Sequence, residues 1–214
     1  MPATLYFSRN PNPRLAVATA RHLAAPVHCE AAAPLAPGQA ERFRPLNPSL
    51  RLPILAEPGG SLWEADAIAC RLSQWVGSNF WRSGPELPDM IRWLSWARDN
   101  FVLACDRVHF ERGTKLRYGL GATDEAQVAR GLAEFHDSAA ILDNHLCRQD
   151  WLLASGLSYA DFRMATFLPF NAVARLPLAD HPAVAAWHDR LLALPAWADP
   201  FAGLDAPELP PIPG

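Results

Sequence analysis

The chain has 214 residues, half of them hydrophobic and 19% charged, with a formal net charge of -3. That is enough chain for one large or two small cored domains. The small net charge gives no reason to expect nucleic acid or an anionic membrane as a partner, and the sequence has no run of about 18 apolar residues to span a membrane. The opening MPATLYFSRN has no signal-peptide layout, so a cytoplasmic protein is expected. Cys29, Cys70, Cys105 and Cys147 form no CxxC pair and no zinc knuckle, so they read as buried free thiols and no metal is expected. The 21 prolines are spread along the chain and read as turns and helix ends.

In chain order, Thr4 to Phe7 (TLYF) is a β-rich opening strand. Ser8 to Pro13 is a loop. Asn12-Pro13 then reads as a helix start, with Asn as N-cap and Pro at the first helical position, and Leu15, Ala18, Ala20 and Leu23 follow. Val27 to Ala31 is a second strand, and Gln39 to Phe43 one or two helical turns. The stretch from Asn47 to Ile68 reads NPSLRLPILAEPGGSLWEADAI. Leu52-Pro53-Ile54-Leu55 is a short strand with a proline inside it, which marks an edge, a first residue or a special backbone site. Glu57-Pro58-Gly59-Gly60 is a turn, Ser61-Leu62-Trp63 the returning strand, and Glu64 closes the hairpin. Ala65 to Val76 has helical spacing at Ala65, Ile68, Ala69, Leu72 and Val76, and Gly77 ends it.

A strand opened by Leu-Pro, a tight turn, a strand, an acidic residue and a helix closely resembles the glutathione site of the glutathione S-transferases. The residues that carry the resemblance are Asn47-Pro48, Leu52-Pro53 and Glu64-Ala65-Asp66-Ala67-Ile68. In that family the proline is cis and the residue before it offers its backbone to the cysteinyl part of glutathione. The acidic residue and its successor hold the γ-glutamyl end. The family's Ser is Ala65 here, which removes one hydroxyl bond to a carboxylate. The order β-α-β-α-β-β-α suggests a thioredoxin-like domain with a four-stranded mixed sheet over residues 1–77.

Ser78 to Pro88 is rich in Pro, Gly and Ser and reads as a linker, leaving 89–214 as an all-helical domain. From Met90, the positions Leu94, Ala97, Phe101, Cys105 and Val108 predict one face of a long helix. Gly119 to Thr123 interrupts it. Val128, Leu132, Phe135, Ala139, Leu142 and Leu146 then form an unbroken stripe expected in a bundle core. Ser158-Tyr159-Ala160-Asp161 fits a capping box, with Asp161 as a cap rather than a catalytic acid. Ala183 to Leu194 predicts a last helix. The box and the segment HPAVAAWHDRLLALPAW resemble the family's second domain, so the likeness covers nearly all of the chain.

A glutathione transferase must fix the tripeptide and lower its thiol pKa, because the thiolate is the nucleophile. The helix N-terminus at Ala65 suits an anion without any side chain. Glu64 is a candidate for the γ-glutamyl ammonium, or merely complements the helix dipole. Arg51 is the candidate for the glycyl carboxylate, or a solvated surface residue, with Arg42 and Arg44 behind it. For the thiol, the Cys-type members of the family point to Asn12 and the Tyr-type members to Tyr6, with Ser8 and Asn10 also within reach. Asn12 is equally an N-cap, Asn10 a turn residue and Tyr6 a strand core residue. Trp93, Trp96, Arg98, Phe101, Arg107, His109 and Arg112 lie on the helix that lines the electrophile site in the family. No GxGxxG, P-loop, HExxH or GxSxG pattern supports a nucleotide or hydrolase reading. The expectation is a homodimeric glutathione S-transferase that adds the thiolate to a small hydrophobic electrophile or reduces a disulfide or peroxide. The alternative is a ligand-binding protein of the same fold without turnover.

Overall fold

Ala3–Phe7 forms the first strand, β1, in which Ala3, Leu5 and Phe7 are buried and Thr4 and Tyr6 half-buried. Alternation of this kind puts the two sets on opposite faces of a sheet. The structure is a computed structural model, and it describes residues 3–213. Helix α1 (Pro11–His22) carries the chain to β2 (Val27–Ala31), which pairs with β1 in parallel from Ala3–Val27 to Phe7–Ala31. Two parallel neighbours need such a crossover. After α2 (Ala40–Phe43), strands β3 (Ile54–Glu57) and β4 (Gly60–Trp63) form a hairpin around Pro58 and Gly59. Gly59 sits at φ 92°, a backbone that Gly accepts at no steric cost. The sheet is mixed, in the order β2-β1-β3-β4, and α3 (Ala65–Trp75) follows it. Pro53 thus stands just before β3 rather than inside a strand, where its missing N–H costs no ladder bond.

Helices α1 and α3 pack on each other and on β1 and β4. Towards α2, Phe43, Leu50 and Ile54 form a cluster joined by Tyr6, Leu46 and Leu52. The helix start differs from the expected one. Its N-cap is Asn10, with extended backbone (φ −66°, ψ 159°), and Asn12 is an exposed residue of the first helical turn. Asn10-Pro11 and Asn12-Pro13 carry the same local signal. The earlier pair wins because the N–H that Pro13 lacks is one that the first turn leaves unpaired anyway.

The chain divides into two units, one reaching Trp81 and taking in Pro195–Leu209, the other Arg82–Leu194 with the residues from Pro210 on. The second unit holds α4 (Leu87–Asp99), α5 (Phe101–His109), a π-helical turn Phe110–Thr114, α6 (Lys115–Arg117), α7 (Glu125–Leu146), α8 (Tyr159–Met164), α9 (Asn171–Ala174) and α10 (Pro182–Leu192). The one long helix expected from Met90 is broken at Asn100 (φ −131°, ψ −97°). The Asn100 side-chain amide donates to the Trp96 carbonyl at 2.9 Å, taking the acceptor that a continuous helix gives to the backbone N–H of the same residue. The stripe on α7 is buried as expected, except that Leu132 is half-buried. Asp124 caps this helix, accepting from Ala126 N at 3.0 Å and Gln127 N at 3.2 Å. Helix α5 lies close on α7 at Gly131, where a Cβ would stand 2.7 Å from Val108 Cγ2.

The capping box at α8 forms as expected. Asp161 Oδ2 accepts from Ser158 N at 2.9 Å and from Ser158 Oγ at 3.1 Å. Its Oδ1 accepts from Leu152 N at 2.9 Å and Trp187 Nε1 at 3.1 Å. Burial pushes this carboxyl up from its ordinary value, against the pull of those hydrogen bonds. Within 78–88, Phe80 and Arg82 are buried, and Arg82 donates to the carbonyls of Gly156 at 2.8 Å and Leu157 at 3.0 Å. Of the four thiols, only Cys105 is buried; Cys29 and Cys70 are half-buried and Cys147 is exposed.

The last helix, α11 (Pro195–Ala198), and the residues to Leu209 belong to the first unit. Trp197 is fully buried. Arg14 of α1, itself 6% exposed, donates to the Trp197 carbonyl and lies 4.8 Å over its ring. Burial lowers the Arg14 pKa to about 10, with Asp199 opposing, so it keeps its charge at neutral pH. Phe201 stacks on Phe7 at 5.5 Å.

Candidate active site

The strand register brings the expected glutathione-site residues to one end of the sheet. Tyr6 of β1 is opposite Ile54 of β3, and Ile54 is opposite Trp63 of β4. Both pairs are antiparallel, so the chain beyond Tyr6 (Phe7, Ser8), the chain before Ile54 (Pro53, Leu52) and the chain beyond Trp63 (Glu64, Ala65) all leave by the same end of the sheet. The N-termini of α1 and α3 lie at that end too, since each follows directly from one of those segments. Two helix N-termini and a set of loop backbones at one place favour an anionic ligand.

The Leu52–Pro53 bond is cis. The loop before it is built by Asn47, which is 1% exposed. Asn47 Oδ1 accepts from Ser49 N at 3.0 Å and Ser49 Oγ at 2.9 Å, and Nδ2 donates to the Arg51 carbonyl at 2.9 Å. One side chain therefore fixes a turn in which Leu50 takes φ 56°. The bond from Ser49 N to Asn47 Oδ1 is that of an Asx-turn, which Asn readily forms with the residue two positions on. Arg51 is exposed, with its backbone held in this turn by Asn47 and Ser49.

Glu64 is the N-cap of α3, is exposed, and has φ 73° and ψ 128° with no side-chain capping bond. Such a backbone is an outlier for a residue with a Cβ, and outliers of this kind cluster at ligand clamps. No sequence signal marks it, because the position is not Gly. Ala65 is 3% exposed and begins the helix.

In the loop after β1, Asn10 Nδ2 donates to Ser8 Oγ at 3.1 Å instead of capping the helix. Asn12 lies at the second position of α1. Tyr6 meets Phe43 edge-on at 5.2 Å, and its hydroxyl accepts from Arg42 at 3.4 Å. Arg42 is also paired with Glu30 at 2.8 Å. Tyr6 is thus packed into the cluster against α2, with its hydroxyl engaged by Arg42. Burial pushes the thiols of Cys29, Cys70 and Cys105 up from their ordinary values, which makes them poor nucleophiles.

In the second unit, most of the aromatic and basic candidates are engaged in its own packing. Phe101 lies 5.5 Å from Phe135, and Trp93 5.6 Å from Trp96. Arg107 pairs with Glu134 at 2.9 Å. His109 is 1% exposed between Phe167 and Phe170, and burial lowers its pKa to about 4 with help from the Arg117 charge. Arg98 is exposed. Arg112 donates to the Ala174 carbonyl at 2.7 Å and lines a cavity of about 440 Å³ with Leu116, Val173, Arg175 and Ile212. Among the described residues, no group of three or more His, Cys, Asp or Glu side chains could hold a metal ion, and no helix is long and apolar enough to cross a membrane.

Residues 100–195 match the family model of the glutathione S-transferase C-terminal domain. The chain is 27% identical over 154 residues to dichloromethane dehalogenase of Methylophilus leisingeri (strain DSM 6813 / VKM B-2013 / DM11), a match that spans 68% of this chain and 58% of that protein's length. Among solved structures it is similar to glutathione S-transferase-I bound with lactoylglutathione, with TM-score 0.84, 18% identity, and 94% of this chain and 99% of that one covered. It is also similar to a glutathione S-transferase from Rhodospirillum rubrum F11, with TM-score 0.82, 22% identity, and 98% and 96% covered. The chain has the glutathione S-transferase fold, and its residues 100–195 are similar to the C-terminal domain of that family.

Proposed function

We propose that this chain is a glutathione transferase, in which the thiolate of glutathione attacks a small hydrophobic electrophile. The reading is carried by one observation: the Ser8 loop, the Leu52–Pro53 segment and the Glu64–Ala65 helix start leave the sheet by one end. The backbone of Leu52 holds the cysteinyl part of glutathione, Glu64 its ammonium, the amide of Ala65 its γ-glutamyl carboxylate and Arg51 its glycyl carboxylate. Ser8 or Asn12 donates to the thiolate, with the dipole of α1 behind it. Glutathione enters as cosubstrate, and no metal takes part. The name of the dehalogenase relative makes a halogenated alkane the first electrophile to test. Reduction of a disulfide or peroxide through the same thiolate is the other reaction to assay. The reading also carries a cytoplasmic homodimer, which light scattering on the purified protein tests.

A second reading is a ligand-binding protein of this fold without turnover. It is favoured by Ala65, which offers no hydroxyl, and by a loop with no Cys at the start of α1. A glutathione-affinity column followed by a turnover assay separates the two. The transferase binds, elutes with free glutathione and turns over. Retention without turnover of halogenated, disulfide or peroxide substrates supports the second reading, and no retention counts against the glutathione site itself.

A further inference from the structure

Three arginines of the first unit reach the segment Pro195–Leu209. Arg14 donates to Trp197 O, and Arg21 to Ala202 O at 2.5 Å, both from α1. Arg9 differs, because it lies inside the loop, between Ser8 and Asn10. Its Nε donates to Ala206 O at 2.9 Å, its Nη2 pairs with Glu208 Oε1 at 2.9 Å, and its guanidinium lies 4.9 Å over the ring of Phe201. The same Phe201 stacks on Phe7 with the rings 18° from parallel. The segment therefore grips both neighbours of Ser8, Phe7 on one side and Arg9 on the other. Ser8 Oγ accepts from Asn10, so its own hydrogen remains to be donated, and accepting one bond strengthens the donation of another. Where that hydrogen points depends on how firmly the loop backbone is held.

We propose that the segment from Pro195 to Glu208 is a strap that positions the loop Ser8–Asn10, with Arg9 as the positioning residue that aims the Ser8 hydroxyl at the thiolate. This rests on the glutathione reading above. Arg9 acts through Ser8 and makes no contact with the reacting atoms. Of its three contacts, the pair with Glu208 is the weakest, because the Glu208 side chain is 80% exposed and water screens it. The Ala206 carbonyl and the Phe201 ring remain when Glu208 is changed.

Two readouts on Arg9→Ala, Arg9→Lys and Glu208→Gln test it. One is hydrogen exchange of the Ser8, Arg9 and Asn10 amides in the protein without ligand. The other is the pH midpoint of thiolate absorbance for bound glutathione. Arg9→Ala should speed exchange in the loop by about tenfold or more while α7 amides keep their rates. It should raise the thiol midpoint by about one pH unit, so that the thiolate fraction below the midpoint falls about tenfold, with the KM for glutathione within about twofold of wild type. Arg9→Lys keeps a charge for Glu208 and should recover part of both changes. Unchanged loop exchange in Arg9→Ala overturns the strap, whatever glutathione does. Faster exchange with an unmoved midpoint, in a protein whose wild type depresses the thiol, overturns the positioning role. A wild-type thiol that titrates like free glutathione overturns the glutathione reading and the thiol role together, while loop exchange still decides whether the strap holds the loop. If Arg9→Ala does not fold, Arg9→Lys, which loses the bond from Nε to Ala206 O, should show smaller changes in the same directions, and none at all overturns the proposal.

Discussion

Ala65→Ser should tighten glutathione binding, and the structure sets the size of the effect. Ala65 is the first residue of α3, 3% exposed, after an N-cap that makes no side-chain bond. A hydroxyl here, bonded to a carboxylate, contributes about 1.5–3 kcal/mol, or roughly ten- to a hundredfold in Kd. Without ligand the same hydroxyl has little access to water. Left without a partner it costs about 1–3 kcal/mol, and for a chain of this length each kcal/mol lowers Tm by about 2–4 °C. The variant should therefore melt lower than wild type when empty and gain more from saturating glutathione. Isothermal calorimetry and thermal melts on both proteins measure the two effects. Equal or weaker glutathione binding by the Ser variant would mean that no carboxylate sits at this helix start.

Asp161→Ala removes the acceptor for Leu152 N, Ser158 N and Trp187 Nε1 at a fully buried site. It should cost about 3–5 kcal/mol in denaturant unfolding and leave glutathione affinity unchanged at a temperature where the variant is folded; lost affinity with full stability would contradict a structural role. His109 has a folded pKa of about 4 against an ordinary 6.5, so it stays neutral in the fold while the unfolded chain takes up a proton. Its contribution is intact above pH 6.5 and is lost as pH falls towards 4, by about 3 kcal/mol in all. In urea unfolding, wild type should lose about 3 kcal/mol more than His109→Phe as pH falls from 6.5 to 4, and parallel curves would refute the assignment.

The hairpin of β3 and β4 was legible because its signals are local. Pro58 and Gly59 turn it, Gly77 ends the helix after it, and β2 has the expected bounds. The α7 stripe was legible because its period is repeated over about five turns. The N-cap was not, because two Asn-Pro pairs stand two residues apart and local chemistry ranks them equally. The break at Asn100 was hidden by an apolar period that runs through it; the backbone angles of Asn100 and the bond from its side chain to Trp96 O reveal the interruption. The backbone of Glu64 leaves no mark in the sequence, since a residue with a Cβ at φ 73° is held there by its surroundings. The packing of Pro195–Leu209 with the first unit was equally hidden, because burial of Trp197 and Phe201 says nothing of the partner they choose. Among the thiol candidates, the sequence proposed Tyr6, Ser8 and Asn12 together. The structure finds Tyr6 bonded to Arg42, Ser8 bonded to Asn10, and Asn12 exposed in the first turn of α1.

The central claim is that this chain binds glutathione and makes its thiol more acidic. Thiolate absorbance of glutathione bound at saturation, followed against pH, measures this directly. An ordinary thiol ionises near about pH 8.5. The bound thiol should ionise below that of free glutathione, and Ser8→Ala or Asn12→Ala should move it back up, with stability measured beside it. If glutathione binds and titrates as it does in free solution, with neither substitution moving the midpoint, catalysis by thiolate activation is contradicted.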